Sequence, residues 1–323
     1  MLILTFICTA AMLFMPSQSI DGAADGINLC LTAVIPSLFP FFVCSRMLIS
    51  SGIAELAGRK AGRIFEALFG VNRSCAFAFA AGILSGYPVG AKVVTDMYKN
   101  KLCSKPEAQR MLAFCNNSGP LFIIGTVGAG MLHSAKAGLL LYAAHILSAV
   151  AAGLTVRFII PVKNKSGQTG ISIRTSKLNA NFQDALTDSV KSMASVCGNI
   201  IFFSVIISAL SPLFEAFFHS PMINAASCGI IEISTGIEML KEMHRALPVI
   251  GFLLAWSGIS VIMQVNGIIS ASGLSTVVFA ATKLIQGIYG GVFTLLLMRL
   301  VPLAPPALTN NLPAAAHMTA TVI

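Results

Sequence analysis

The chain predicts an all-α polytopic membrane protein made of two inverted-topology repeats, each with a re-entrant helical hairpin and an interrupted transmembrane helix. Three observations lead there. First, 56% of the 323 residues are hydrophobic, only 10% are charged, and mean hydropathy is +0.83; a soluble domain carries about 25% charged residues. Second, the stretches 26–45, 111–135, 137–156, 192–214 and 246–282 contain no Asp, Glu, Lys or Arg, and about 20 apolar residues cross a hydrocarbon core as a helix. Third, glycine, proline and amide clusters interrupt these apolar regions, where bare backbone is tolerated only under cover of protein or a water-filled cavity.

Residues 1–25 read as an N-terminal membrane helix and loop. The apolar run 1–15 has no basic flank and no small-residue cleavage site, so a retained helix is expected rather than a signal peptide. Asp21 and Asp25 mark the loop. Residues 26–161 form the first repeat, whose opening span at 27–52 contains Pro36 and Pro40 as expected bends. Arg59, Lys60, Arg63 and Arg73 precede residues 74–98, and Lys99, Lys101, Lys105 and Arg110 follow them. Both flanks are then cytoplasmic by the positive-inside rule. One crossing cannot join two loops on the same side, so 74–98 reads as a hairpin. Gly86, Pro88 and Gly90 supply its turn, because proline removes a donor and glycine disfavours a continuous helix.

Asn116-Asn117-Ser118-Gly119-Pro120 interrupts the next span at 111–133, and 137–160 crosses back. The basic, Ser/Gly/Asn-rich segment 162–191 reads as a cytoplasmic linker. The second repeat covers 192–302, with a hairpin at 222–240, and 303–323 is a loosely structured tail. Three pairs of segments align in order: 34–45 with 196–207, 82–93 with 229–240, and 118–132 with 257–271. The loop charges make the two copies antiparallel, an arrangement of secondary transporters with the site at the repeat interface. Lys241 and Arg245 lie in the second repeat's outer loop, against the charge rule.

The net charge of +9 does not point to nucleic acid, since the basic residues sit at the ends of apolar runs. The eight cysteines contain no CxxC pair, so neither a disulfide framework nor a zinc site is expected. No HExxH, GxSxG or Walker motif occurs, so the expectation is no enzyme, no cofactor and no metal.

Candidate solute-binding residues sit at the breaks. Lys92 follows the first hairpin tip and could pair with a substrate carboxylate or snorkel to the interface. Glu232 aligns with Ser85; it could bind a ribose, an amine, a coupling cation or a proton, or form an ion pair with Lys92. Asn116, Asn117 and Ser118 offer polar groups beside unwound backbone. Ser85 and Tyr87 line the first tip. Ser234, Thr235, Ser257, Ser260, Gln264 and Asn266 are the second-half counterparts, each also suited to helix–helix hydrogen bonding. Trp256 fits an interface anchor or a stacking face. His133, His145, His219, His244 and His317 read as loop or interfacial residues.

The runs Leu84 to Lys92 and Phe114 to Pro120 resemble the bacterial nucleoside-recognition, or Gate-domain, membrane proteins, in particular the sporulation integral membrane protein group. Gly258 to Gln264 is similar in the second half. The resemblance implies a fold distantly like that of concentrative nucleoside transporters. It implies movement of a small polar organic solute, nucleoside-like or an aromatic carboxylate such as dipicolinic acid. The expected partners are that solute, a coupling Na⁺ or H⁺, the lipid bilayer and a homo-oligomeric copy, and no nucleic acid. A non-transporting receptor or assembly subunit on the same fold is the alternative.

Overall fold

The computed structural model describes residues 6, 9–10, 12–50, 53–162, 182–243 and 245–301. Secondary structure among them is helical, without strands. Five segments are long and apolar enough to cross a membrane: Pro16–Cys44, Ala135–Ile159, Phe182–Phe217, Leu247–Ser272 and Thr276–Leu300.

The first span is α1 (Pro16–Leu29), a π-turn (Cys30–Val34) and α2 (Ile35–Ser50). Pro16 sits in the first turn, where no intrahelical donor is needed. The widened turn falls just ahead of Pro36, where a proline ring would otherwise press on the preceding turn. Asp21 and Asp25 therefore lie on a helix, not in the loop expected of them. The helix continues because α1 packs along α8 (Phe182–Phe217). Gly22 and Gly26 meet Ser204, Ser208 and Ile201 there with no room for a Cβ, a small-xxx-small contact.

Next comes α3 (Ile53–Phe69), then α4 (Cys75–Ser85) and α5 (Val89–Lys99). The last two have 11 residues each, about 16 Å and roughly half the hydrocarbon thickness. Gly86 joins them at φ 74°, ψ −176°, a backbone region open essentially to glycine alone. A Cβ on Gly82 or Gly90 would run into the Cys115 carbonyl oxygen. The two short helices can therefore fold against each other and against α6 (Lys105–Cys115).

A Ser104/Glu107 capping box starts α6. Helical backbone stops at Asn116, whose φ, ψ are −100°, 95°, and resumes as a π-helix, Leu121–Met131. Ser134 then caps α7 (Ala135–Ile159). Arg110, expected among the loop charges, is 4% exposed. It donates to the carbonyls of Phe69 and Gly70 at 2.8 and 3.0 Å, and to those of Arg157 and Ile160. One guanidinium thus satisfies the carboxyl ends of both α3 and α7.

In the second half α8 begins at Phe182, so residues 182–191 belong to the helix and not to the linker. The rest of that linker from 163, and the tail from 302, lie outside the described residues. Helices α9 (Pro221–Ile231) and α10 (Ile233–Leu240) meet at Glu232 alone. Gly229 and Gly236 touch backbone to backbone between them. Helices α11 (Leu247–Trp256) and α12 (Gly258–Ile269) are split by Ser257 and Gly258 at φ 76° and 75°. Two successive left-handed residues end one helix and start another. Helix α13 (Thr276–Leu300) packs along α11 and crosses to α7, so the halves interlock. Lys241, just past α10, is paired with Glu238 at 2.6 Å.

The α1–α8 contact gives a direct test. Gly22→Val should overpack it at a cost of about 1–3 kcal/mol and lower the melting temperature in detergent. Gly198→Ala, with no neighbour within 4 Å, should leave melting unchanged or raise it slightly.

Candidate functional site

Each break places small or polar residues where a continuous helix would place apolar ones, and the four breaks converge. One cavity is lined by Ser85, Gly86 and Tyr87 from the first hairpin and by Gly119 and Phe122 from the first interrupted helix. Glu232 and Ser234 of the second hairpin and Ser260, Val261 and Gln264 of α12 complete those walls. Leu38, Phe41 and Phe42 of α2 and Val196, Asn199 and Ile200 of α8 close the sides. Matched positions of the aligned segments both line this space: Leu38 and Ile200, Ser85 and Glu232, Tyr87 and Ser234, Phe122 and Val261. Its volume is about 40 Å³, enough for a few water molecules but well below the roughly 150 Å³ of a cavity that holds benzene.

The breaks also touch in pairs. A Cβ on Gly86 would strike the Gly119 backbone, and one on Gly258 would press on Ile231 and Ile233. In each half the hairpin turn thus abuts the interrupted helix. Ser118 Oγ donates to the Leu254 carbonyl at 3.3 Å and ties the first break to the second half. The Glu232 carboxylate caps α10, accepting from the Thr235 backbone at 2.7 Å and its hydroxyl at 3.1 Å. Thr235 in turn lies 3.3 Å from Ser204. Both border a second cavity of about 550 Å³ that also reaches Asp25, His133 and Glu238. Glu232 therefore stands between a wide vestibule and the central space.

Behind the first break lies a polar network that sequence reading missed. Lys283 of α13 is fully buried. Its Nζ donates to the Asn116 carbonyl at 3.2 Å and to Gln286 Oε1 at 2.6 Å. Gln286 Nε2 donates to Asn117 Oδ1 at 3.1 Å, and Asn117 Nδ2 to the Phe114 carbonyl at 2.7 Å. Asn116 Oδ1 accepts from the Ala91 backbone of α5 at 3.3 Å. His145, expected at a loop or interface, is instead 2% exposed inside α7, and its Nε2 accepts the Ser118 N–H at 3.1 Å. The signal for both residues was present. Each is an ionisable group in the interior of its span, away from the Lys and Arg at the span ends, and such groups are functional candidates by default.

Several expected residues fall elsewhere. Lys92 is exposed on α5 and reaches neither the cavity nor Glu232. The described ion pairs are Arg46–Asp188, Arg73–Glu66 and Lys241–Glu238. Helical phase explains this: α5 turns Ala91 inward and the next position outward. Asn116, Asn117, Ser118 and Ser257 are fully buried but sit behind the cavity wall. Thr235 backs Glu232 and faces the vestibule. Asn266 accepts from Thr276 Oγ1 at 2.5 Å near the start of α13. Trp256 donates to the Ile230 carbonyl at 3.0 Å, joining α11 to α9. His133 and His219 are exposed, whereas His244 and His317 lie outside the described residues. Among the described side chains, the Oγ atoms of Ser85 and Ser257, Asn116 Nδ2 and His145 Nδ1 are buried without a hydrogen-bond partner.

The chain is 31% identical over 327 residues to the sporulation integral membrane protein YlbJ of Bacillus subtilis (strain 168), covering 90% of this chain and 80% of that protein. No family model and no solved structure matches significantly. The chain belongs to the family of this sporulation protein and, with five membrane-length apolar helices among the described residues, is a multi-pass integral membrane protein.

Proposed function

We propose that the protein is a secondary carrier that moves a small polar organic solute through the central cavity by alternating access. The two halves are inverted repeats, α4–α5 and α9–α10 are re-entrant hairpins, and the fold is akin to that of Gate-domain proteins and, distantly, concentrative nucleoside transporters. The observation that carries this reading is the meeting of all four helix breaks at one cavity, at positions matched between the halves. Paired interrupted segments at a repeat interface are where such carriers hold substrate. As it stands the space is too small for an organic ring, so the solute is taken up when one half rocks away from the other.

The lining suggests the solute class. Phe41, Phe42, Tyr87 and Phe122 provide flat apolar walls, and Ser85, Asn199, Ser234, Ser260 and Gln264 provide polar edges. A helical segment restarts beside the cavity at each break: at Val89, Leu121, Ile233 and Gly258. Helix amino-terminal ends favour negative charge. Glu232 opposes it. An aromatic carboxylate such as dipicolinic acid gains from the helix ends, and a nucleoside gains from Glu232 as a hydroxyl acceptor. Buried polar atoms left unpaired cost about 1–3 kcal/mol each, so the free Ser85 hydroxyl is a natural solute contact. The sporulation role named for the YlbJ relative fits the carboxylate.

The alternative is a receptor or assembly subunit that binds solute without moving it. It predicts access to the cavity from one membrane face only. Purified protein in liposomes should accumulate dipicolinate or a nucleoside down its gradient or with a Na⁺ or H⁺ gradient; uptake of neither sinks the carrier reading. Ser85→Cys and Ser260→Cys should be labelled by impermeant thiol reagents from both faces, and labelling from one face alone favours the receptor. Glu232→Gln keeps a cap acceptor but removes the charge. It should tighten dipicolinate binding by about tenfold and weaken nucleoside binding by a similar factor, near 1.4 kcal/mol each, read by ligand-dependent thermal shift.

A further inference from the structure

Lys283 has a position that solute binding does not explain. It lies eight residues into an apolar span, is fully buried, and does not line the central cavity. Among the described residues no carboxylate pairs with it. Its donors go instead to neutral oxygens: the Asn116 carbonyl just past the carboxyl end of α6, and Gln286 Oε1. Asn117 Oδ1 holds the Gln286 amide in place. Freed carbonyls at the carboxyl end of a half-helix, with side-chain amide oxygen beside them, are the ligands from which carriers build a seat for a coupling cation.

We propose that the Lys283 ammonium is a resident cation, filling from α13 the seat that the end of α6 and Gln286 would otherwise offer to an alkali ion. The positive charge at the first break is then covalently held, and no mobile cation is taken up there during a transport cycle. The consequence for coupling rests on the carrier reading; the occupancy of the seat does not.

The test is thermal melting of the full-length purified protein, free of solute, in NaCl, LiCl, KCl and choline chloride at equal ionic strength. The wild-type midpoint should be the same in all four salts. Lys283→Ala and Lys283→Ser vacate the seat; each should melt lower in choline and regain roughly 2–4 °C in one alkali salt. Specific stabilisation of the wild type by one alkali ion overturns the proposal. Cation-indifferent melting of the folded variants overturns it too, because Lys283 would then be a structural donor only. Failure to recover either variant folded in any salt also counts against it, since a vacated cation seat must be refillable. Absence of solute uptake would instead refute the carrier reading and leave the melting result standing.

Discussion

Backbone that leaves the helical path inside a hydrocarbon slab must find partners within the protein, because lipid supplies none. Among the described residues, helical backbone breaks between apolar segments at Gly86, Asn116, Glu232 and Ser257. The breaks cover one another. Gly86 lies on Gly119, the Gly258 turn lies on the Glu232 turn, and Ser118 reaches Leu254 between the halves. The rest of the architecture follows from that mutual cover. Glycines are needed where backbones touch, and the long helices α7, α8 and α13 wrap the cluster.

Two kinds of polar chemistry share this centre without mixing. On one side Lys283, Gln286 and Asn117 are linked by hydrogen bonds, and His145 holds the Ser118 backbone, so that both brace the first break. On the other, Ser85, Glu232, Ser234, Ser260 and Gln264 line a small open space. The first break separates the two, its amides turned back and its glycine turned forward.

The lysine and the glutamate of the centre both come from the second half: Lys283 of α13 reaches across to the first interrupted helix, and Glu232 sits at the second hairpin turn. Each charge is held by a helix end of the opposite sign: Lys283 at the carboxyl end of α6 and Glu232 at the amino end of α10. Among the described residues neither side chain pairs with an opposite charge. It also leaves Glu232 as the ionisable group between the vestibule and the cavity.

Composition and pattern alone determined that the protein lives in a membrane, where its apolar segments lie, and which of them break. They did so because lipid constrains every residue it touches, and glycine, proline and amide clusters stand out against that background. Aligned positions such as Ser85 and Glu232 line one cavity. Only the tertiary structure decided which polar groups meet. Lys92 seemed the natural cation of the site from its sequence neighbours, yet helical phase turns it outward. Lys283 lies 167 residues from Asn116 in the chain, and only the packing of α13 across the halves brings it to the break. Asp21 and Asp25 read as a loop until the glycine contact with α8 kept their segment helical. Spacing along a chain fixes which face a residue takes on its own helix; which partner waits opposite depends on packing between helices, and no local pattern encodes it.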